Sequence, residues 1–505
     1  MTGSSRSQRS NPLATASRRR RTGSILVVLL AVTLVSTACG ARLTAAQLAA
    51  ANASNNGLGG SGSGSGSGTG KSGTGTTTTV AGTAGSAGSA GSAATAGGSA
   101  TGGGSATGGG STGGAAAVAT GPVCPNGAAG SGPGVSASTI TLGNVSTVTG
   151  PVPGLFTSAR LGTQAFIAYQ NSIGGVCGRK LALSSADDDL QEAQNSTAVQ
   201  SLAGQVLAFV GSFSVADDGG APSMASANVP DIGEALTPAR FNLPQNFSPQ
   251  PQPNGFITGP FQYFAQKFGP NVTQHMAILA EDQGTAQAQS IAQEKAMESV
   301  GYKFVFSSTS ISPTTSDFGA IIASMKAAGV QGLIFEATAA IYGAMASQMY
   351  TAGYTIPFAD WGAPAYDPQF VTTGGPGANG AILEQSLAMY EGQDAAAIPE
   401  VALFDKWYAS VSGGQSPTIY AAYGWLSGMM FVQAINAGGA PTRAALFNGL
   451  KTITNFNGSG MVAPVNPAAK TPPNCFIIID VTNGKFVRDS STPSGFTCSG
   501  TFFHE

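Results

Sequence analysis

Three acidic residues stand beside short apolar runs: Asp282 after His275 to Leu279, Glu336 at the end of Gly332 to Glu336, and Asp360 just before Trp361. A carboxylate in such a place can meet the ammonium group of a ligand or cap a helix, and both readings are open for each of the three. Hydroxyls occupy comparable junctions at Thr147, Thr149, Ser212, Ser214, Thr237, Thr285 and Thr338, where they can hydrogen-bond a polar solute. Apolar walls would come from Leu155, Phe156, Phe213, Ala235, Leu236, Ala339 and Trp361. The aromatic members of that set could sandwich an apolar body, with rim or core packing as the alternative. Together these residues form the candidate ligand-binding set.

A reaction would need a nucleophile with its base, a metal cluster or a cofactor fingerprint, and none stands out. The only histidines are His275, at the start of an apolar run, and His504. No CxxC spacing suggests zinc. Asp187, Asp188 and Asp189 precede the helical stretch Leu190 to Ala203 and read as its cap, since the spacing of an EF-hand loop is absent. Gly70-Lys71-Ser72 lacks the earlier glycine of a phosphate loop, and Gly375 to Gly380 spells GxGxxG without a preceding strand, which suggests a loop where the chain passes between lobes. We therefore expect no catalytic residue, cofactor or metal.

These candidates must be placed by the elements around them. Residues 137–350 alternate short apolar runs with helical periods, the pattern of βαβ units and a parallel sheet. Strands are predicted at Thr139 to Val145, Lys180 to Ser184, Val206 to Val210, His275 to Leu279, Lys303 to Ser307 and Gly332 to Glu336. The clearest helix is Asp317 to Ala328, with Phe318, Ile321, Ile322 and Met325 on one face, Ser316 as its N-cap and Gly329 at its end. Open parallel sheets bind ligands beyond the carboxyl ends of their strands, which is where the candidate set lies.

The N-terminus carries Arg18 to Arg21, an apolar run from Ile25 to Val35, and then Ser36-Thr37-Ala38-Cys39. That order reads as a lipoprotein signal over residues 1–38 with acylation at Cys39, an ordinary cleaved signal or an uncleaved anchor being the alternatives. Residues 39–136 are dominated by Gly, Ser, Thr and Ala and cannot bury enough apolar area to offset their ordering entropy. They form a tether with an r.m.s. reach of about 50 Å. The leader holds six arginines and no acid, which leaves 16 basic residues against 24 acidic ones. Such a head is poorly suited to nucleic acid. Four further cysteines suit an oxidising compartment, and nearest-neighbour pairing gives Cys124–Cys177 and Cys475–Cys498. The second pair would bracket a hairpin, Phe476 to Val481 and Lys485 to Arg488, turning at Asn483-Gly484.

The opening of the head, from Thr139 through Thr149-Gly150-Pro151, the helix Leu161 to Asn171, Gly174 to Lys180 and Asp187-Asp188, resembles the branched-chain amino-acid binding proteins of ABC importers. Asp317 to Ile322, continuing through Ala327 to Val330 and Leu333 to Phe335, is similar to the same family's second lobe. The resemblance implies the type I periplasmic binding protein fold, in which two α/β Rossmann-like lobes with parallel sheets are joined by a three-segment hinge. Lobe 1 would take residues 137–256 plus 381–452, lobe 2 residues 257–380 plus 453–495, and residues 496–505 would be a tail. It also implies a monomeric, exported, membrane-tethered solute-binding protein that delivers a small polar or amphipathic ligand to an ABC permease. A surface sensor and a wall-associated structural protein are the alternatives. The family's ligand-holding Ser and Tyr fall on Val215 and Thr285, and its ammonium-binding acid falls near Gly362, so a standard α-amino acid is not implied.

Overall fold

The computed structural model describes Cys124 and residues 129–252, 254–492 and 495–505; the expected leader, Cys39 and nearly all of the tether lie outside the described residues. Five parallel strands, β1 (Thr139–Ser146), β2 (Lys180–Asp187), β3 (Phe209–Val210), β4 (Asp231–Ile232) and β5 (Asn246–Phe247), form a sheet in the order β2-β1-β3-β4-β5. A short strand β6 (Gly255–Ile257) follows, and the chain then enters a second sheet. This contains β7 (Met276–Glu281), β8 (Phe304–Ile311), β9 (Gly332–Glu336), β10 (Phe358–Asp360), β11 (Ile382–Gln385), β12 (Cys475–Thr482) and β13 (Lys485–Arg488), ordered β13-β12-β11-β10-β9-β7-β8. β7 is buried along its whole length, which explains the apolar run Met276 to Ala280 before Glu281.

The strands expected from the sequence are all present, several of them longer at their carboxyl ends. β7 runs to Glu281 and β8 to Ile311. The hairpin of β12 and β13 turns with both Asn483 and Gly484 at positive φ, the conformation that a type I′ turn requires. The expected helix at 317–328 spans Gly319–Ala327 and has no side-chain cap at its own N-cap, Phe318. Asp317, rather than Ser316, receives the Gly319 N–H. Gly329 follows the helix at positive φ.

Three boundaries differ from expectation. β11 lies between β10 and β12 in the second sheet, so the return to the first lobe comes after Gln385 rather than at residue 381. The glycine-rich stretch Gly375–Ala378 is accordingly not a crossing loop: it is a 3-10 turn within the second lobe, with Gly377 seated against the Ala346 carbonyl. The expected tail is paired, because β14 (Thr497–Cys498) adds to β12 and β15 (Phe502–His504) pairs antiparallel with β6. At the other end, the tether is structured before residue 137. Gly134 accepts the Thr141 N–H, Cys124 is bonded to Cys177, and Cys475 is bonded to Cys498.

After Gln385 the helices Pro399–Val411 and Ile419–Gly438 pack on the helix Thr157–Ser172 beside the first sheet. The crossing between the helices Thr157–Ser172 and Ile419–Gly438 is close because glycines face backbone: a Cβ on Gly162 would sit 2.0 Å from the Ala421 carbonyl oxygen, and one on Gly424 2.2 Å from that of Ala159. This contact fixes the amino ends of both helices side by side. Phe156 and Tyr420, at those ends, meet with ring centroids 4.8 Å apart.

Candidate functional site

A cavity of about 240 Å³ opens between the carboxyl ends of the two sheets. The first lobe contributes Leu155, Phe156, Phe213, Val215, Glu234 and Leu236, with Ile419, Tyr420 and Tyr423 from the long helix. The second contributes Glu281, Thr285, Glu336, Thr338, Gly362 and Glu384, and the β6–β15 ribbon adds Phe256 and Phe502. Seven members of the sequence-derived set therefore line one cavity: Leu155, Phe156, Phe213, Leu236, Thr285, Glu336 and Thr338.

The aromatic side of the cavity is a single cluster. Phe213 packs against Phe156 at 4.7 Å and Tyr420 at 5.0 Å, and stacks on Tyr423 at 5.9 Å with an interplanar angle of 11°. Phe156 and Phe213 are nearly closed off from solvent, at 3% exposure each. They owe that to one another and to the helix Ile419–Gly438, and both line the cavity.

The polar groups of this wall are largely consumed within it. Thr147 donates from Oγ1 to Asp188 at 2.7 Å, and Asn195 donates to the other oxygen of Asp188. Asp187 receives the Val148 and Thr149 N–H groups and the Thr149 hydroxyl. Asp187 and Asp188 thus staple the β1 loop to the β2 loop, and the helix Glu192–Ala203 begins at Gln191 without a side-chain cap. This corrects the expected capping role. Ser212 receives the Val145 N–H, and Ser214 receives that of Ala216.

Beyond β4, Asp217 collects the N–H groups of Leu236 and Thr237 together with the Thr237 hydroxyl. Asp217 in turn faces Arg240, which holds Asp231 through Nε at 2.8 Å and through Nη2 at 2.9 Å. The hydroxyls of Thr147, Thr149, Ser212, Ser214 and Thr237 are therefore engaged within the wall, and none of the five residues lines the cavity. Ala235 is buried beside them.

The second wall differs. In the β-ladder Asp360 stands opposite both Ile334 and Ile382. Counting two residues onward, which returns each strand to the same face, Glu336 and Glu384 flank Gly362. That glycine has φ 66°, and the nearest atom to a Cβ placed on it would be 3.7 Å away. Three carboxyls thus share one face around a position with no side chain.

No hydrogen bond or ion pair from the described residues reaches the Glu336 or Glu384 carboxyl, and Asp360 Oδ2 is buried without a partner. Burial, reinforced by Asp360, pushes Glu336 up to about 8. Burial and the neighbouring Asp360 and Glu336 push Glu384 in the same direction, and burial raises Asp360 against the opposing Gly362 N–H. Across the cavity Glu234 is 2% exposed. Its Oε2 receives the Ser248 hydroxyl, Oε1 has no partner, and burial lifts the carboxyl to about 8. Glu281 is already committed, since Thr338 donates to it from both N and Oγ1.

Three expected site residues lie elsewhere. Trp361 is 2% exposed and packs among Phe335, Tyr342 and Phe370, so it is core. Its neighbour Gly362 reaches the cavity instead. Asp282 is exposed and receives an N–H from Gln287. Ala339 is buried at the start of its helix. Glu234, Glu384, Tyr420 and Tyr423 were not anticipated. Strand alternation carried past the last apolar residue would have selected Glu384, whereas the tyrosines lie on a helix that is apolar nearly all round and so give no face signal. Val215, Thr285 and Gly362, the three positions at which the chain departs from the amino-acid binders, all line the cavity.

Two α/β lobes with the cavity between the carboxyl ends of their sheets make this a protein of the type I periplasmic binding fold. The chain belongs to the periplasmic binding protein family, whose model matches residues 139–485. Similar solved structures include a branched-chain amino-acid ABC transporter protein from Thermus thermophilus with bound valine, at 15% identity and TM-score 0.61, covering 72% of this chain and 98% of that one. A fatty-acid ABC transporter substrate-binding protein from Thermomonospora curvata is 19% identical with TM-score 0.60, covering 74% and 95%. A leucine binding protein from Thermotoga maritima is 17% identical with TM-score 0.58, covering 70% and 98%. No curated protein matches the chain by sequence.

Proposed function

We propose that this protein is the extracytoplasmic solute-binding component of an ABC importer, capturing a small polar or amphipathic ligand between its two lobes and presenting it to a membrane permease. The observation that carries the reading is the cavity itself, walled by strand ends of both sheets in a chain of this family. A ligand touching both walls favours the closed arrangement by its differential affinity, and a permease that recognises the closed form then receives only loaded protein. The similar structures carry valine, leucine or fatty-acid designations, so the fold leaves the ligand open.

The leader and Cys39 fit export followed by acylation, which would hold a monomeric head above the membrane on its tether. Labelled palmitate should enter the wild-type chain in cells and not Cys39→Ser; equal labelling of both removes the anchor from the proposal. A thermal-shift screen of the full chain against amino acids, amides, amines, sugars and carboxylic acids tests the binding itself. A ligand at 100 times its dissociation constant adds about 2.7 kcal/mol. A screen flat for every class would defeat the solute-binding reading.

A further inference from the structure

Building on the solute-binding reading above, we propose that the ligand is an organic amine, protonated, with an apolar or aromatic body and no carboxylate of its own. Its N–H groups would be received by Glu234 from the first lobe and by Glu336 or Glu384 from the second.

The lining contains four glutamates and no lysine, arginine or histidine. Glu281 is satisfied by Thr338, but Glu234 presents an unpartnered, fully buried oxygen, and Glu336 and Glu384 meet no donor among the described residues. Buried acceptors left open cost stability unless something supplies the donors. A bound anion would find no cationic side chain in the lining to balance it. The Leu236 and Thr237 N–H groups at the end of β4 are already held by Asp217, and the nearest guanidinium, that of Arg240, is locked to Asp231 and Asp217 behind the wall.

The aromatic cluster decides what kind of cation fits. Among the described residues no three Asp, Glu, His or Cys side chains converge to hold a metal ion. The Phe156, Phe213 and Tyr420 rings offer instead an apolar surface suited to the body of an organic cation. The missing side chain at Gly362 leaves room between Glu336 and Glu384 for the head of such a molecule.

Matched probes test this by calorimetry on the purified full chain: isoamylamine, leucine and isocaproate share one body, and phenethylamine, phenylalanine and hydrocinnamate share another. The expected result is that an amine of at least one series binds, with its amino-acid and acid counterparts roughly tenfold or more weaker. Glu234→Gln and the double variant Glu336→Gln/Glu384→Gln should each weaken that amine by about tenfold or more, the loss expected for one charge-assisted hydrogen bond. Asp282→Asn, outside the cavity, should leave it unchanged and shows that the preparation is folded. Equal or tighter binding of an amino acid or acid overturns the inference while leaving the solute-binding reading intact. Amine binding that is indifferent to both glutamine variants overturns the assigned site. Failure of both amines overturns the inference, and the broader thermal-shift screen then decides separately whether the protein binds solutes at all.

Discussion

On the first-lobe wall Arg240, Asp231 and Asp217 answer one another at 1%, 0% and 3% side-chain exposure, and Asp187 and Asp188 take up the Val148 and Thr149 N–H groups and the Thr149 and Thr147 hydroxyls. On the second-lobe wall Glu336, Asp360 and Glu384 share one strand face with no ion-pair partner among the described residues. Both walls stand at the carboxyl ends of parallel strands. The first is largely finished, its hydrogen bonds holding loops in place, and it shows the cavity mainly aromatic rings together with the unpartnered Glu234 Oε1. The second leaves acceptors unanswered at the cavity surface. Division of labour of this kind lets the rigid aromatic wall orient the body of a ligand while Glu234 on that side and the carboxyls of the second wall answer its charge.

The sharpest way to break that contrast is to remove the cation of the finished wall. Arg240→Met leaves Asp231 and Asp217 buried without their partner, which should cost about 3–5 kcal/mol. Chemical denaturation at neutral pH would read this as a large drop in midpoint. A loss under about 1 kcal/mol would mean that the network is not holding the first wall together.

A smaller loss should follow from opening the bridge that secures the second wall. The Cys475–Cys498 bond holds β14 on β12 and so anchors the segment that carries Phe502 over the cavity. Replacing both cysteines by serine should cost about 2–4 kcal/mol. It should also weaken ligand binding, because the β6–β15 ribbon loses one of its attachments. Unchanged ligand affinity in the destabilised variant would separate the ribbon from the site.

The difference between the walls also explains what the sequence disclosed. Strand positions, the βαβ alternation and the hairpin at Asn483-Gly484 were legible because they rest on local periodicity and turn chemistry. That Phe156, Phe213 and Glu336 line a cavity was legible because the first two lie in the segments that follow β1 and β3 and the third ends β9. That Thr147, Thr149 and Ser212 do not line the cavity was not legible, because a hydroxyl at a strand end looks the same whether it faces a ligand, a carboxylate far along the chain as for Thr147 and Thr149, or a neighbouring strand's N–H as for Ser212. Only tertiary pairings such as that of Thr147 with Asp188 distinguish them. Tyr420 was hidden by its helix, and the β11 boundary by the absence of any signal telling which sheet a four-residue strand will join. Trp361 and Gly362 differ by one position, yet alternation sends the first into the core and leaves the second at the cavity.

The gentlest probe of the contrast is pH, and here the sign is set by the raised carboxyls. Glu336 has its folded value near 8 against an ordinary 4.5, with Asp360, Glu384 and Tyr342 as its charged or titratable neighbours. Glu234 is raised similarly beside Ser248, Arg240 and Asp217. Between those two values the folded state keeps protons that the unfolded chain has already released, so stability of the ligand-free protein falls as pH rises and levels off above about 8. Asp187 and Asp489 are shifted the other way, and their stabilisation is lost only on acidification below the ordinary carboxylate range, so they do not mask the effect. The expected change from pH 5 to pH 8 is on the order of 1–2 kcal/mol, because water in the cavity tempers the cost of the charged forms. Glu336→Gln removes one of these titrations, so its melting temperature should match wild type near pH 5 and exceed it near pH 8. If both proteins instead melt identically across the range, Glu336 is ionised in the folded state with a donor supplied from elsewhere, and the second wall is as finished as the first.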